Sequence, residues 1–148
     1  MSKESFFRWN AIVNLIMALS INTAATFLAG GDTLQGWVKG CACAFTINTI
    51  ELAIIPVGAI GQWFSKDVCH SSDGSLLEFL SRNFIINAIN VTVVSFCMAM
   101  VNVGINASTV PAWLGTYLQL HLVGLVTGLI IERPAAWLNN KIDVALEG

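Results

Sequence analysis

Two ionisable side chains lie inside long apolar runs of this chain: Glu51 in TINTIELAII and His121 in YLQLHLVGL. At the centre of a bilayer a carboxylate costs at least about 2.5–3.5 kcal/mol, so such a group faces protein, water or a bound ion and marks a functional site by default. Asn48 precedes Glu51 by one helical turn on nearly the same face. Asn10, Asn14, Ala18, Asn22 and Thr26 recur every four residues and form a slowly winding polar stripe. Asn22 is expected at the depth of Glu51. Asn83, Asn87, Asn90, Ser95 and Asn102 supply polar groups from a third stretch, and Gln119 joins His121 in a fourth. All are expected to turn inward, because lipid cannot satisfy them. Counted from Trp37 and Trp113, Glu51 and His121 lie about 21 and about 12 Å from the outer interface. Pro56, five residues after Glu51, frees a carbonyl in the preceding turn. The candidate substrate- or ion-binding set is therefore Glu51, Asn48, Asn22, His121 and Asn90. The plainer reading is that the amides tie helices together, with a protonated Glu51 donating to Asn22 or Asn48 and a neutral His121 packed in the bundle.

Other chemistries lack their residues. There is no G-x-S-x-G, H-E-x-x-H, P-loop or dinucleotide fingerprint. Nothing in the residue order brings Ser95, His121 and Glu51 together as a triad, so no catalytic residue and no enzyme activity is expected. Cys41 and Cys43 point about 200° apart on a helix and cannot share a metal. Cys69, His70 and Cys97 add no ligand cluster, so neither metal nor cofactor is expected. A net charge of −2 without a basic block gives no nucleic-acid partner.

The elements that must hold these residues are membrane spans. Apolar residues make up 55% of the 148 and charged residues 11%, too few to cover a soluble surface; mean hydropathy is +0.72. Four stretches reach the roughly 20 residues of a bilayer crossing, at about 6–29, 36–64, 76–103 and 112–131. Glycines 30 and 31 end the first helix, and Asp32 with Gln35 is expected to cap the second. Ser75 and Glu78 form a capping box for the third, and Ser108 or Thr109 with Pro111 opens the fourth. Pro134 is expected to end the fourth span. Trp137, Leu138, Ile142 and Leu146 then share one face of a short interfacial helix over 135–146. Six of the seven basic residues fall at the two ends and in the middle loop, which places both termini in the cytoplasm. The basic, apolar N-terminus lacks a convincing A-x-A site and is expected to stay as the first span.

The halves repeat. RWNAIVN and SRNFIIN both carry N-x-x-x-N, as Asn10/Asn14 and Asn83/Asn87. Each is followed by an apolar helix, a glycine-containing loop and a tryptophan, Trp37 or Trp113, that opens the next helix. Two helices per half give a parallel repeat, residues 1–69 and 70–148. A helix pair with N-x-x-x-N at its start, Trp after the loop and Pro56 late in the second helix resembles a domain-of-unknown-function family of small bacterial inner-membrane proteins, here in two tandem copies over almost the whole chain. The second copy departs from it, since Pro134 falls later. The resemblance implies a bacterial inner-membrane address and no established activity.

The expected fold is thus all-α and integral to the membrane, with four transmembrane helices as two parallel-repeat helical hairpins and a short C-terminal interfacial helix. GWVKG (Gly36, Gly40) and GLVTG (Gly124, Gly128) are G-x-x-x-G motifs that let helix backbones approach, within a chain or between chains. Four helices leave little room for a wide pore, so a homo-oligomer in the lipid bilayer is expected. The expected function is a small transporter or channel for an ion or small solute. The alternatives are a structural or accessory membrane protein and a binder of a lipid or hydrophobic ligand.

Overall fold

The computed structural model describes residues 3–31 and 33–147 and contains helices joined by short loops, with no strand among the described residues. The helices are α1 (Lys3–Leu28), α2 (Leu34–Ile54), α3 (Val57–Trp63), α4 (Leu76–Val103) and α5 (Thr109–Glu147), with a π-helical turn (Phe64–Val68) extending α3. By length and composition α1, α4 and α5 can cross a membrane, and α2 with α3 makes a fourth crossing if the bent pair is one span. The outward surface agrees with a lipid solvent. On α5, Leu114, Leu118, Leu122, Val126 and Ile130 recur every four residues and are all exposed.

Local chemistry sets most boundaries. Gly30 and Gly31 take positive φ, and their N–H groups donate to Phe27 and Thr26 carbonyls, a Schellman ending for α1. The cap of α2 is Thr33, whose hydroxyl accepts from the Gly36 N–H at 3.1 Å; Asp32, expected there, lies outside the described residues. Ser75 caps α4 by accepting from Glu78 N–H at 3.1 Å, and the Glu78 carboxylate returns to Gly74 N–H rather than to Ser75. Thr109 begins α5, its hydroxyl accepting from Asn106 N–H at 3.1 Å across the preceding loop.

Two expectations about proline need correction. The second span is not one helix over 36–64. It breaks at Ile55–Pro56, and the two pieces meet at 64°. Ile55 is extended, as the residue before a proline prefers, and Val57 N–H turns back to Ile55 O at 2.8 Å. The α3 piece then crosses α4 closely at Gly61, where a Cβ would lie 2.8 Å from the Ile86 side chain. Pro134, by contrast, ends nothing: α5 continues through it to Glu147. No separate interfacial helix forms over 135–146. Beyond Pro134 the buried face is Ala135 and Asn139, turned toward α1. Trp137 and Leu138 are exposed, and the Leu146 side chain lies outside the described residues.

In the bundle α1 packs on α2 and α5, and α4 packs on α5, α2 and α3. Two small apolar clusters tie it together: Met17, Ile21, Val91 and Leu120, and Ala18, Ala44 and Val94. Polar clasps close its ends. Ser5 and Arg8 of α1 bind Asn139 and Asp143 of α5, with Asn139 almost wholly buried. At the opposite end the Trp37 indole N–H donates to Thr23 Oγ1 at 3.0 Å, and deeper in the bundle the Trp113 indole N–H donates to Ser95 Oγ at 2.9 Å.

Candidate functional site

Residue pairs fix the levels of the four long helices. Asn48 Nδ2 of α2 donates to Asn14 Oδ1 of α1 at 3.0 Å. Asn87 Nδ2 of α4 donates to the His121 carbonyl of α5 at 3.0 Å and lies 3.2 Å from His121 Nδ1. Both pairs are 34 residues apart in sequence. Ala44 and Val94 share one cluster, and Glu51 lies seven residues beyond the first while Asn87 lies seven before the second. On antiparallel helices those steps are equal, about 10.5 Å each, so Glu51 stands level with Asn87 and His121. Asn14, Asn48 and Asn90 lie about one turn nearer the septum formed by the two clusters. The result is a buried polar belt one turn thick with contributions from all four long helices.

This corrects three expectations. Asn22 does not reach Glu51. It lies eight residues past Asn14 on α1, about 12 Å along the axis, and its amide donates to Trp37 O at 3.0 Å and contacts Cys41 Sγ at 3.2 Å. Glu51 and His121 do not sit at different depths, because Trp113 stands deeper in the bundle than Trp37. Gln119 does not turn inward: two residues from His121 it points about 200° away and is exposed.

Glu51 is 3% exposed, and both its carboxylate oxygens lack a hydrogen-bond partner among the described residues. The same holds for Oδ1 of Asn48, Asn87 and Asn90. All five atoms are acceptors. Orientation explains Asn87: with both amide protons turned to His121, its oxygen is directed elsewhere, into the notch left by Gly124. Asn22 Oδ1 uses Gly40 in the same way. Gly40 and Gly124, one from each motif, therefore admit amide side chains, whereas Gly128 has open space where a Cβ would be. Glu51 also sits one turn before the end of α2. Pro56 has no N–H for the Leu52 carbonyl, and the C-terminal end of a helix carries partial negative charge.

Cavities flank the belt. One, of about 800 Å³, occupies the half of the bundle that holds both terminal segments, and Asn10, Asn14, Asn83, Asn87 and Asn90 all line it. Both N-x-x-x-N motifs thus face one space. At its wall Arg82 donates to Glu132 Oε1 at 2.8 Å and Asn83 to Glu132 Oε2 at 3.0 Å. Reading the sequence overlooked Glu132, which stands beside Arg133 and looked like an ordinary flank of the span. The second cavity, about 570 Å³, lies at the other end, with Asn22, Lys39, Cys43 and Ser95 in its walls. Met17 borders the first cavity, and Ile21, Ala44, Val94 and Leu120 border the second, so the two apolar clusters form the septum between them. Among the described residues no three His, Cys, Asp or Glu side chains group to hold a metal. Comparison of the chain with protein-family models, curated proteins and solved structures finds no match.

Proposed function

We propose that this protein is a small membrane transporter or channel, and that the break in its second span is a site for a proton or small cation. The observation that carries the reading is the Glu51 carboxylate, buried without a partner among the described residues, one turn before a helix end. A bare carboxylate there is costly and needs compensation by a proton or cation. Broken membrane helices supply such sites elsewhere, through carbonyls and helix ends. Asn48 and Asn90 are the neighbouring ligands of choice, each with a spare oxygen. Asn87 and His121 position one another at the same level. The larger cavity, whose wall includes Asn14, Asn87 and Asn90 of the belt, is the approach, and the apolar septum separates it from the second cavity.

The packing role favoured for the amides fits Asn14–Asn48 and Asn87–His121, which are interhelical bonds. It does not close the balance at Glu51. One carboxyl proton supplies one donor, against three amide oxygens that lack any.

The same reading includes four spans in two repeated hairpins, both termini in the cytoplasm of a bacterial cell and assembly as a homo-oligomer. The repeat is supported by the two belt pairs of equal separation and by the two tryptophan–hydroxyl clasps. Liposomes containing purified protein test the function. Proton or monovalent-cation flux above that of empty vesicles, lost in Glu51→Gln, is expected. Wild type and Glu51→Gln that both leak no more than empty vesicles overturn the reading.

A further inference from the structure

We infer that the outer face of α5 around Gln119 is the contact between two copies of this chain, with the two Gln119 amides hydrogen-bonded to each other across a two-fold axis. The inference rests on the membrane placement of α5 and not on transport. Gln119 is exposed, yet its neighbours on that face, Leu118 and Leu122, are exposed apolar side chains of a membrane-spanning helix. Its depth is unfavourable for an amide. It lies two residues from His121 and so within the level of the polar belt, well inside the span. Thr46, also exposed in a span, solves the same problem by donating to its own helix at Ala42 O, 2.8 Å away. Acyl chains offer Gln119 neither donor nor acceptor.

An amide is its own complement. It carries one acceptor and two donors, so two copies related by a two-fold axis satisfy each other with a reciprocal pair of bonds. One turn earlier on nearly the same face is Gly115, where a Cβ would meet nothing within 4 Å. That small surface lets a second α5 approach closely enough for the amides to meet. Leu122 and Val126 continue the face and pack beside the polar contact. The inward face of the same helix carries His121 and Gly124 and is already used against α4. The helix thus separates its two roles by about half a turn.

Cysteine cross-linking in native-like bilayers tests the contact, in protein whose four cysteines are replaced by serine. Under a mild copper–phenanthroline oxidant, Gln119→Cys and Gly115→Cys are expected to give a covalent dimer. Ile54→Cys, exposed on α2, is not. In a cysteine-containing background Gln119→Leu is expected to weaken self-association in vesicles about tenfold, read by energy transfer between labelled copies as lipid dilutes them, while Gln119→Asn retains more of it. Both positions are exposed, so helical content by circular dichroism stays unchanged. The inference is overturned if Gln119→Leu associates as well as wild type, if Ile54→Cys cross-links as readily, or if wild type stays monomeric at every dilution. Because none of these readouts involves flux, their failure leaves the proton or cation site at Glu51 standing, a monomeric wild type removing only the homo-oligomer from that reading, and loss of the flux result leaves the Gln119 contact standing.

Discussion

Asn87 gives both of its amide protons to one residue, His121, through the ring nitrogen and the main-chain carbonyl. The bond to Nδ1 makes that nitrogen an acceptor and places the ring proton on Nε2. The main-chain bond fixes which way the carboxamide faces, since a flipped amide would set oxygen against oxygen. His121 therefore orients an amide on α4 at the level of Glu51.

Removing the acid should separate stability from function. Glu51→Met fills the same space without an unpartnered polar group, and so removes a penalty of at least about 1–3 kcal/mol for a buried unsatisfied group. We expect thermal stability in detergent equal to or above wild type, with cation flux lost. A variant that is both less stable and fully active would contradict the assignment of Glu51.

The notch at Gly124 makes a second prediction. An alanine Cβ there meets Asn87 Oδ1 and lies 2.8 Å from Val91 Cγ2. Gly124→Ala should cost about 1–3 kcal/mol as an overpacked site, and Gly128→Ala, facing open space, should cost far less. Thermal denaturation of the two variants side by side checks this. Equal losses would mean that the motif acts only as a backbone contact.

The Asn14–Asn48 bond should behave as an ordinary interhelical contact. A double-mutant cycle with alanine at both positions is expected to give a coupling of about 0.6 kcal/mol, and no more than about 1.7. A much larger value would show the two asparagines working as part of a coupled network.

The loop before α4 carries its own pH dependence. Lys66 pairs with Asp73 and Glu78, and its hydrogen bond and charge hold the Asp73 carboxyl below its ordinary range. Depressed carboxyls lend stability above their unfolded pKa and lose it as pH falls through the lower folded value. Amide exchange in residues 70–75, corrected for its intrinsic rate, should therefore quicken below about pH 4 and stay slow through neutrality. Lys66→Ala should flatten that dependence.

What the residue order made legible was mostly local. Hydropathy alone marks the apolar helices, and Gly30–Gly31 and Ser75 end or start helices by chemistry that acts within one turn. The rest depended on partners distant in sequence. Pro134 looks like a stop, but α5 runs through it, and Asn139 and Asp143 beyond it meet Ser5 and Arg8. Nothing near Asn22 revealed its depth, which follows from the pairing of Asn14 with Asn48. The break at Ile55 was hidden because apolar residues continue on both sides of Pro56. The outward turn of Gln119 was readable all along, since two residues on a helix cannot share a face with His121.

The clasp between the first and last helices has a consequence for biogenesis. Asp143 is made 135 residues after its partner Arg8. The clasp therefore cannot close until α5 has been made, so it is a long-range contact whose loop-closure cost falls late in folding, after the neighbouring helices can already have met.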